Sequence, residues 1–402
     1  MHIIVPLTYA EIEGVHPTED DLLSKLALLN RKQTVLFLAM VNLLLSLYQK
    51  NWLAFVKVQG SLYQSLITPE MKEKIIKKFP NEQMGSRPLF HRNQVLSLLK
   101  RSLLHCPEDG GYDLSSKEQG WHELGLAALM MSDIIDTKEK QEKIKYNPDD
   151  SADTRRATEE IFAQMLPGIE LLNPPDVIHS FVRNAEYFDI FKRESAKGNL
   201  LFTNEQSLFD KFKEITGLDL NTYLQIIISV VFYYLNIGQK KPEELITDPK
   251  MFNINANETF EKMRFAADEL KAFFSLSALS VDTLAQQVRE HQESLGLPEE
   301  YDFTIMRRYP LVFTREAQGI MTCFDVGFLT EKTGNGVYFT IHNSLKDREA
   351  ESDEARMGLA RRSGPFRNLH LAPPSNLNKQ QNRICGSGYR AFFLLAIVRL
   401  NR

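Results

Sequence analysis

Arg101 and His105 stand four residues apart in a stretch whose apolar spacing predicts a helix, so a guanidinium and an imidazole share one face. Such a pair can hold a phosphodiester and move a proton on a 2′-hydroxyl. Ribonuclease chemistry uses slightly longer spacing, however, and no second polar partner follows here. His105 also precedes the loop Pro107–Gly111, where cationic residues commonly finish helices by facing the dipole. The helix-end role is the stronger reading, and no residue is assigned as catalytic.

Other chemistries have less to stand on. The nine histidines (His2, His16, His91, His105, His122, His179, His291, His342, His370) form no HxH or HxxxH pair, so no metal ligand set is expected. A restriction-type nuclease core needs an acid on one strand and Glu-x-Lys on the next. Pro175-Asp176 opens a helical pattern instead, and Glu142–Lys145 is a charged helical run. No phosphate-cradling GxGxxG or GxxxxGK[ST] and no GxSxG occurs, so no cofactor and no small-molecule substrate are expected. Asp325 falls where a hairpin should end and a helix begin, which suits an N-cap better than catalysis.

Two basic features remain. Arg307-Arg308-Tyr309-Pro310, with Arg315 nearby, is the densest basic-aromatic spot outside the tail and could touch a phosphate backbone, although such residues more often rim a small sheet. From Ala355 to Arg402 there is no Asp or Glu. The same stretch carries nine Lys or Arg, among them Arg361 and Arg362. The charge therefore splits into about +9 for the tail and about −13 for the rest, against a net −4. Three explanations compete: a basic arm for nucleic acid or an acidic partner, a solvated terminus, or a shifted reading frame after about residue 350. The last accounts together for the loss of periodicity, the unpatterned Pro373-Pro374 and Gly386–Gly388, and the unprotected apolar run Ala391–Val398.

The elements that must position these groups read as helices. Thr18 with Asp21 makes a capping box, followed by Leu22, Leu26 and Leu29. After the polar break Asn30–Gln33 the pattern resumes through Leu36, Met40, Leu43 and Leu47, as one long helix or two stacked ones. Asn93 is placed to cap a helix carrying Val95, Leu96, Leu99 and Leu103, and Trp121–Ile135 is helical again. A second block should hold helices over Thr158–Met165, Pro175–Phe191, Glu205–Ile215, Asn221–Asn236, Glu258–Phe274 and Val281–Ser294. Then the texture changes. Phe303–Arg307 and Leu311–Phe313 are β-like, Ile320–Phe324 closes a hairpin, and Val326–Lys332 is one or two helical turns. The fold class is mainly α, a multi-helical bundle or stacked helices with a small α+β element near the C-terminus. Four regions follow: a helical domain over 1–145, a second over 154–298, the α+β element over 301–350 and the basic tail over 351–402.

Composition agrees with a folded chain: 43% apolar, 25% charged. Three scattered cysteines (Cys106, Cys323, Cys385) suit a reducing compartment, and the N-terminus lacks a basic signal-peptide region. The apolar runs Val35–Tyr48 and Ile226–Ile237 are shorter than a bilayer span and read as core helices. The expected location is cytoplasmic, without membrane contact.

Several stretches resemble a family of uncharacterised bacterial proteins: Gly85–Phe90 leading into Gln94–His105, Leu124–Asp133, and above all Arg308-Tyr-Pro-Leu311, Cys323-Phe-Asp325, Phe328-Leu329 and Gly336-Val-Tyr338. Longer members of that family continue into a nuclease-like domain, so the resemblance implies a truncated homologue from which no catalytic residue carries over. The expected function is a non-catalytic helical module binding a macromolecule or partner chain, as the recognition part of a bacterial nuclease or phage-defence protein. The expected partner is nucleic acid or protein, with Arg307, Arg308, Arg315, Arg361 and Arg362 as contacts. The alternative is a metal-dependent nuclease or ribonuclease whose site assembles from dispersed residues.

Overall fold

The computed structural model describes residues 6–48, 52–80, 87–112, 114, 119–144, 208–238, 240–256, 258–259, 265–295, 303–315, 319–333, 336–337 and 340–341. In chain order these form α1 (Tyr9–Glu13), α2 (Glu19–Leu26), α3 (Arg31–Tyr48), α4 (Trp52–Leu66), α5 (Pro69–Lys78), α6 (Arg92–His105), α7 (Gln119–Ile144), α8 (Leu208–Thr216), α9 (Leu220–Ile237) and α10 (Pro242–Thr247). A 3₁₀ turn (Pro249–Phe252), β1 (Ile254–Asn255), α11 (Ala267–Ser277), β2 (Ala278–Ser280), α12 (Val281–Leu295), α13 (Thr304–Arg308), β3 (Leu311–Arg315), β4 (Ile320–Cys323) and α14 (Val326–Glu331) follow. The protein is mainly α with a small sheet, as its periodicity implies. The expected helices Thr158–Met165 and Pro175–Phe191, the tail over 351–402 and Cys385 lie outside the described residues.

The chain falls into two compact units: Met1–Ser180, Phe232–Asn255 and Ser277–Leu329 in the first, Phe181–Val231, Ala256–Leu276 and Thr330–Arg402 in the second. In the first, α2 begins on the expected box, with the Thr18 hydroxyl accepting the Asp21 N–H and the Asp21 carboxylate accepting the Thr18 N–H. Asn30 divides α2 from α3. Its side chain accepts the Gln33 N–H and donates to Gly110 O at 3.2 Å, so the polar break is a helix start tied to the Cys106–Tyr112 loop. That loop needs its glycine: Gly111 has φ +74°, and a Cβ there would lie 2.8 Å from the Asn30 nitrogen.

The helix expected to start at Asn93 starts at His91. Its Nδ1 accepts the Gln94 N–H at 3.5 Å while Gln94 Oε1 accepts the His91 N–H at 3.0 Å, an imidazole doing what Ser or Asp usually does. Burial pushes His91 down to about 4, which keeps the ring neutral and its acceptor open. Among the described residues the segment Arg87–Phe90 before it pairs with no strand, although Pro88 O accepts the Leu7 N–H. Gln59 replaces the ladder, accepting from Leu89 and Phe90 N–H and donating to Phe90 O. Helices α4 and α7 approach closely at Gly125, where a Cβ would fall on the Leu66 carbonyl. Trp121 on α7 packs edge-on to Phe37 of α3, ring centroids 5.0 Å apart.

The sheet of this unit has the order β1-β4-β3-β2, with β2 parallel to β3 and the other pairs antiparallel. The expected hairpin pairs Leu311 with Cys323 and Phe313 with Met321, then shifts register between Phe313 and Arg315. Two of the four strands come from before residue 300, too short for alternation to reveal them. Phe303–Arg307, read as β-like, is instead the helix α13. Phe303, Met306 and Tyr309 are buried at a spacing of three, and the Arg307 N–H reaches Phe303 O at 2.8 Å. Tyr234 locks the sheet to the 3₁₀ turn by accepting from the Cys323 N–H and donating to Phe252 O.

In the second unit the rings of Phe212, Tyr223 and Phe273 form a chain with centroids 5.2 and 5.7 Å apart. Lys332 Nζ donates to Leu276 O at 2.9 Å, finishing α11 with a cation. Among the described residues one helix, α9, is long and apolar enough to cross a membrane by length and composition, and half of that span is buried inside the protein.

Candidate functional site

Buried charge is the first place to look for chemistry, because an ion in a dry interior needs partners. Asp325, fully buried, follows the hairpin and opens α14. Its Oδ1 accepts the Phe328 N–H at 2.9 Å, so the cap expected from sequence is present. Its Oδ2 accepts from Arg92 Nη2 and Asn42 Nδ2, each at 2.8 Å, and Asn42 also donates to Phe324 O at 2.7 Å. Three segments far apart in sequence, α3, α6 and the β4–α14 corner, meet on one carboxylate. Three donors of the fold converge on the two oxygens, which makes it a structural hub rather than a base waiting for a proton.

Asp133 on α7 is the second buried carboxylate, with 2% side-chain exposure. It accepts the Ala10 N–H at 2.6 Å and His16 Nδ1 lies 2.7 Å from Oδ1, the ring itself 72% exposed. A carboxylate fixing one imidazole nitrogen and leaving the other to solvent has the geometry that orients a general base, but no nucleophile accompanies it among the bonds described.

Arg101 and His105 do share the expected face of α6. The fold, however, gives Arg101 to Glu19, with Nε–Oε1 at 2.6 Å and Nη2–Oε2 at 3.3 Å. Arg289 of α12 reaches the Leu104 carbonyl at 3.4 Å. Burial, then the Arg101 charge, pushes His105 down against the opposing pull of Glu19, so the ring is held toward its neutral form rather than as a helix-ending cation.

The basic-aromatic spot is pulled apart by strand geometry. Arg307 is exposed and lies over the Phe328 ring at 5.1 Å, and Arg308 is half-buried over Tyr309 at 5.3 Å. Arg315 is exposed at the far end of β3, on the order of 13 Å from its start at the usual rise per residue. Arg361 and Arg362 lie outside the described residues.

No family model, curated protein or solved structure matches the chain.

Among the described residues no group of three His, Cys, Asp or Glu is placed to hold a metal ion. A small cleft between α6, α12 and α13 is lined by Lys100, Val288, His291, Gln292, Phe303 and Met306, with about 200 Å³ of empty space including open solvent. Cys106 and Cys323 are buried free thiols. Burial pushes Cys106 up to about 12, which removes it as a nucleophile at neutral pH. Sequence reading missed Asn42, Arg92, Asp133 and His16. Only Asn42 left a signal, as an amide within the apolar run Val35–Tyr48.

Proposed function

We propose that this chain is a non-catalytic helical module that binds a macromolecule or partner chain, and that it serves as the recognition part of a bacterial nuclease or phage-defence protein in the cytoplasm. One contrast carries the reading. The buried carboxylates Asp325 and Asp133 are engaged by donors of the fold, whereas the guanidiniums of Arg307 and Arg315 stand at the surface of the sheet-bearing unit. Arginine placed over an aromatic ring can still offer N–H donors to phosphate or carboxylate oxygens, as for Arg307 over Phe328. The reduced, buried Cys106 and Cys323 suit the cytoplasmic assignment.

A ribonuclease assay separates this from the enzyme reading. The chain should leave labelled single-stranded RNA and DNA intact with or without Mg²⁺ or Mn²⁺. Phosphodiester cleavage by the purified chain, abolished by His105→Ala or His16→Ala, would replace the module with an enzyme.

A further inference from the structure

We propose that residues Leu7–His16 form an electrostatically fastened strap that opens off α7 and α5 while the helical body beneath stays folded. Helix α1 has no fully buried side chain; its five residues, Tyr9 and Ile12 among them, are half-buried. Beside that shallow packing its hold on the body is a set of polar bonds: Ala10 N–H and His16 Nδ1 on the Asp133 carboxylate, Glu11 on Arg87 Nη2 at 2.6 Å, and Glu13 on Lys74 Nζ at 2.6 Å. Arg87 also donates to Pro6 O at 2.9 Å. Apolar anchorage lies at the ends. Leu7 is 1% exposed with its N–H on Pro88 O, and α2 resumes on its own capping box at Thr18. A segment pinned at both ends and held between them by ion pairs and hydrogen bonds opens locally at less cost than its surroundings. Water and salt also compete directly with the partly exposed pairs, Glu11–Arg87 and Glu13–Lys74. Opening exposes the Asp133 carboxylate, which the closed strap covers with two of its donors.

Amide hydrogen exchange on the full chain, followed residue by residue, tests this. Amides of 9–16 should exchange at least about a hundredfold faster than those of α3 and α6. Raising NaCl from 0.05 to 1 M should speed them about three- to tenfold relative to α3 in the same sample. Asp133→Asn should release the strap amides selectively. Should that variant unfold, the partly exposed Glu11→Gln and Lys74→Gln give the same readout at about two- to fivefold. Protection of 9–16 equal to that of α3, or exchange indifferent to salt and to Glu11→Gln and Lys74→Gln, overturns the proposal.

Discussion

Removing the Asp325 carboxylate should be among the most damaging single changes in the first unit. The side chain is fully buried, its Arg92 partner is 7% exposed, and the two are 2.8 Å apart. Deleting one partner of such a pair costs about 3–5 kcal/mol, since the other charge stays buried without it. Asp325→Ala also loses the cap on Phe328 N–H, worth about 1 kcal/mol. The sum, about 4–6 kcal/mol, is a large share of the stability of an ordinary domain. Asp325→Asn keeps the volume and can keep the cap, but it removes the charge and turns an NH₂ donor toward Arg92 Nη2 and Asn42 Nδ2, so it should cost at least about 3 kcal/mol. Arg92→Met should cost a similar amount. Combining Arg92→Met with Asp325→Asn leaves no buried ion, so the double variant should recover at least about 2 kcal/mol relative to additivity. Urea unfolding followed by far-UV circular dichroism on the four proteins measures the cycle. An Asp325→Asn loss under about 1 kcal/mol, or single losses that simply add, would refute the assignment of Asp325 as a hub.

His91 makes stability fall with acid. Unfolded, its imidazole takes a proton below 6.5, but folded it does so only near 4. The stabilisation is therefore complete above pH 6.5 and is lost as pH drops toward 4, by at most about 3 kcal/mol. His91→Asn, a cap that does not titrate, should flatten that slope in denaturant midpoints measured from pH 7 to 4, and an unchanged slope would count against the imidazole cap. Gly125→Ala should cost about 1–3 kcal/mol, because its Cβ meets the Leu66 backbone and α4 must move off α7. Thermal unfolding reads this directly, and a neutral Gly125→Ala would show that the two helices are not in close apposition.

Periodicity revealed the elements that a single face defines. The Thr18 box, the α3 run and the Leu311–Cys323 hairpin are local patterns, and α12 differs from its expected range only at the C-terminal residue. Local spacing failed where tertiary partners decide. His91 became a cap because Gln94 answered it and burial kept it neutral. Strands β1 and β2, of two and three residues, exist only because β3 and β4 supply an edge on each side. The candidate site was harder still. Arg101 and His105 were visible as a pair, but Glu19, 82 residues from Arg101, and Arg289, 185 residues from the Leu104 carbonyl it reaches, decide what that pair can do. The Asp325 hub joins residues 233 and 283 positions apart, and no spacing rule reaches that far.

The central claim, binding without catalysis, is tested most directly by fluorescence anisotropy of labelled nucleic acid titrated with the full chain across a salt series. The account predicts saturable binding that weakens as salt rises, with the probe recovered intact. In the Arg307→Ala, Arg308→Ala, Arg315→Ala triple variant, binding should weaken and the log–log salt slope should fall by about 2–3. Binding identical in the triple variant, no binding even at low salt, or a probe returned cleaved would contradict it.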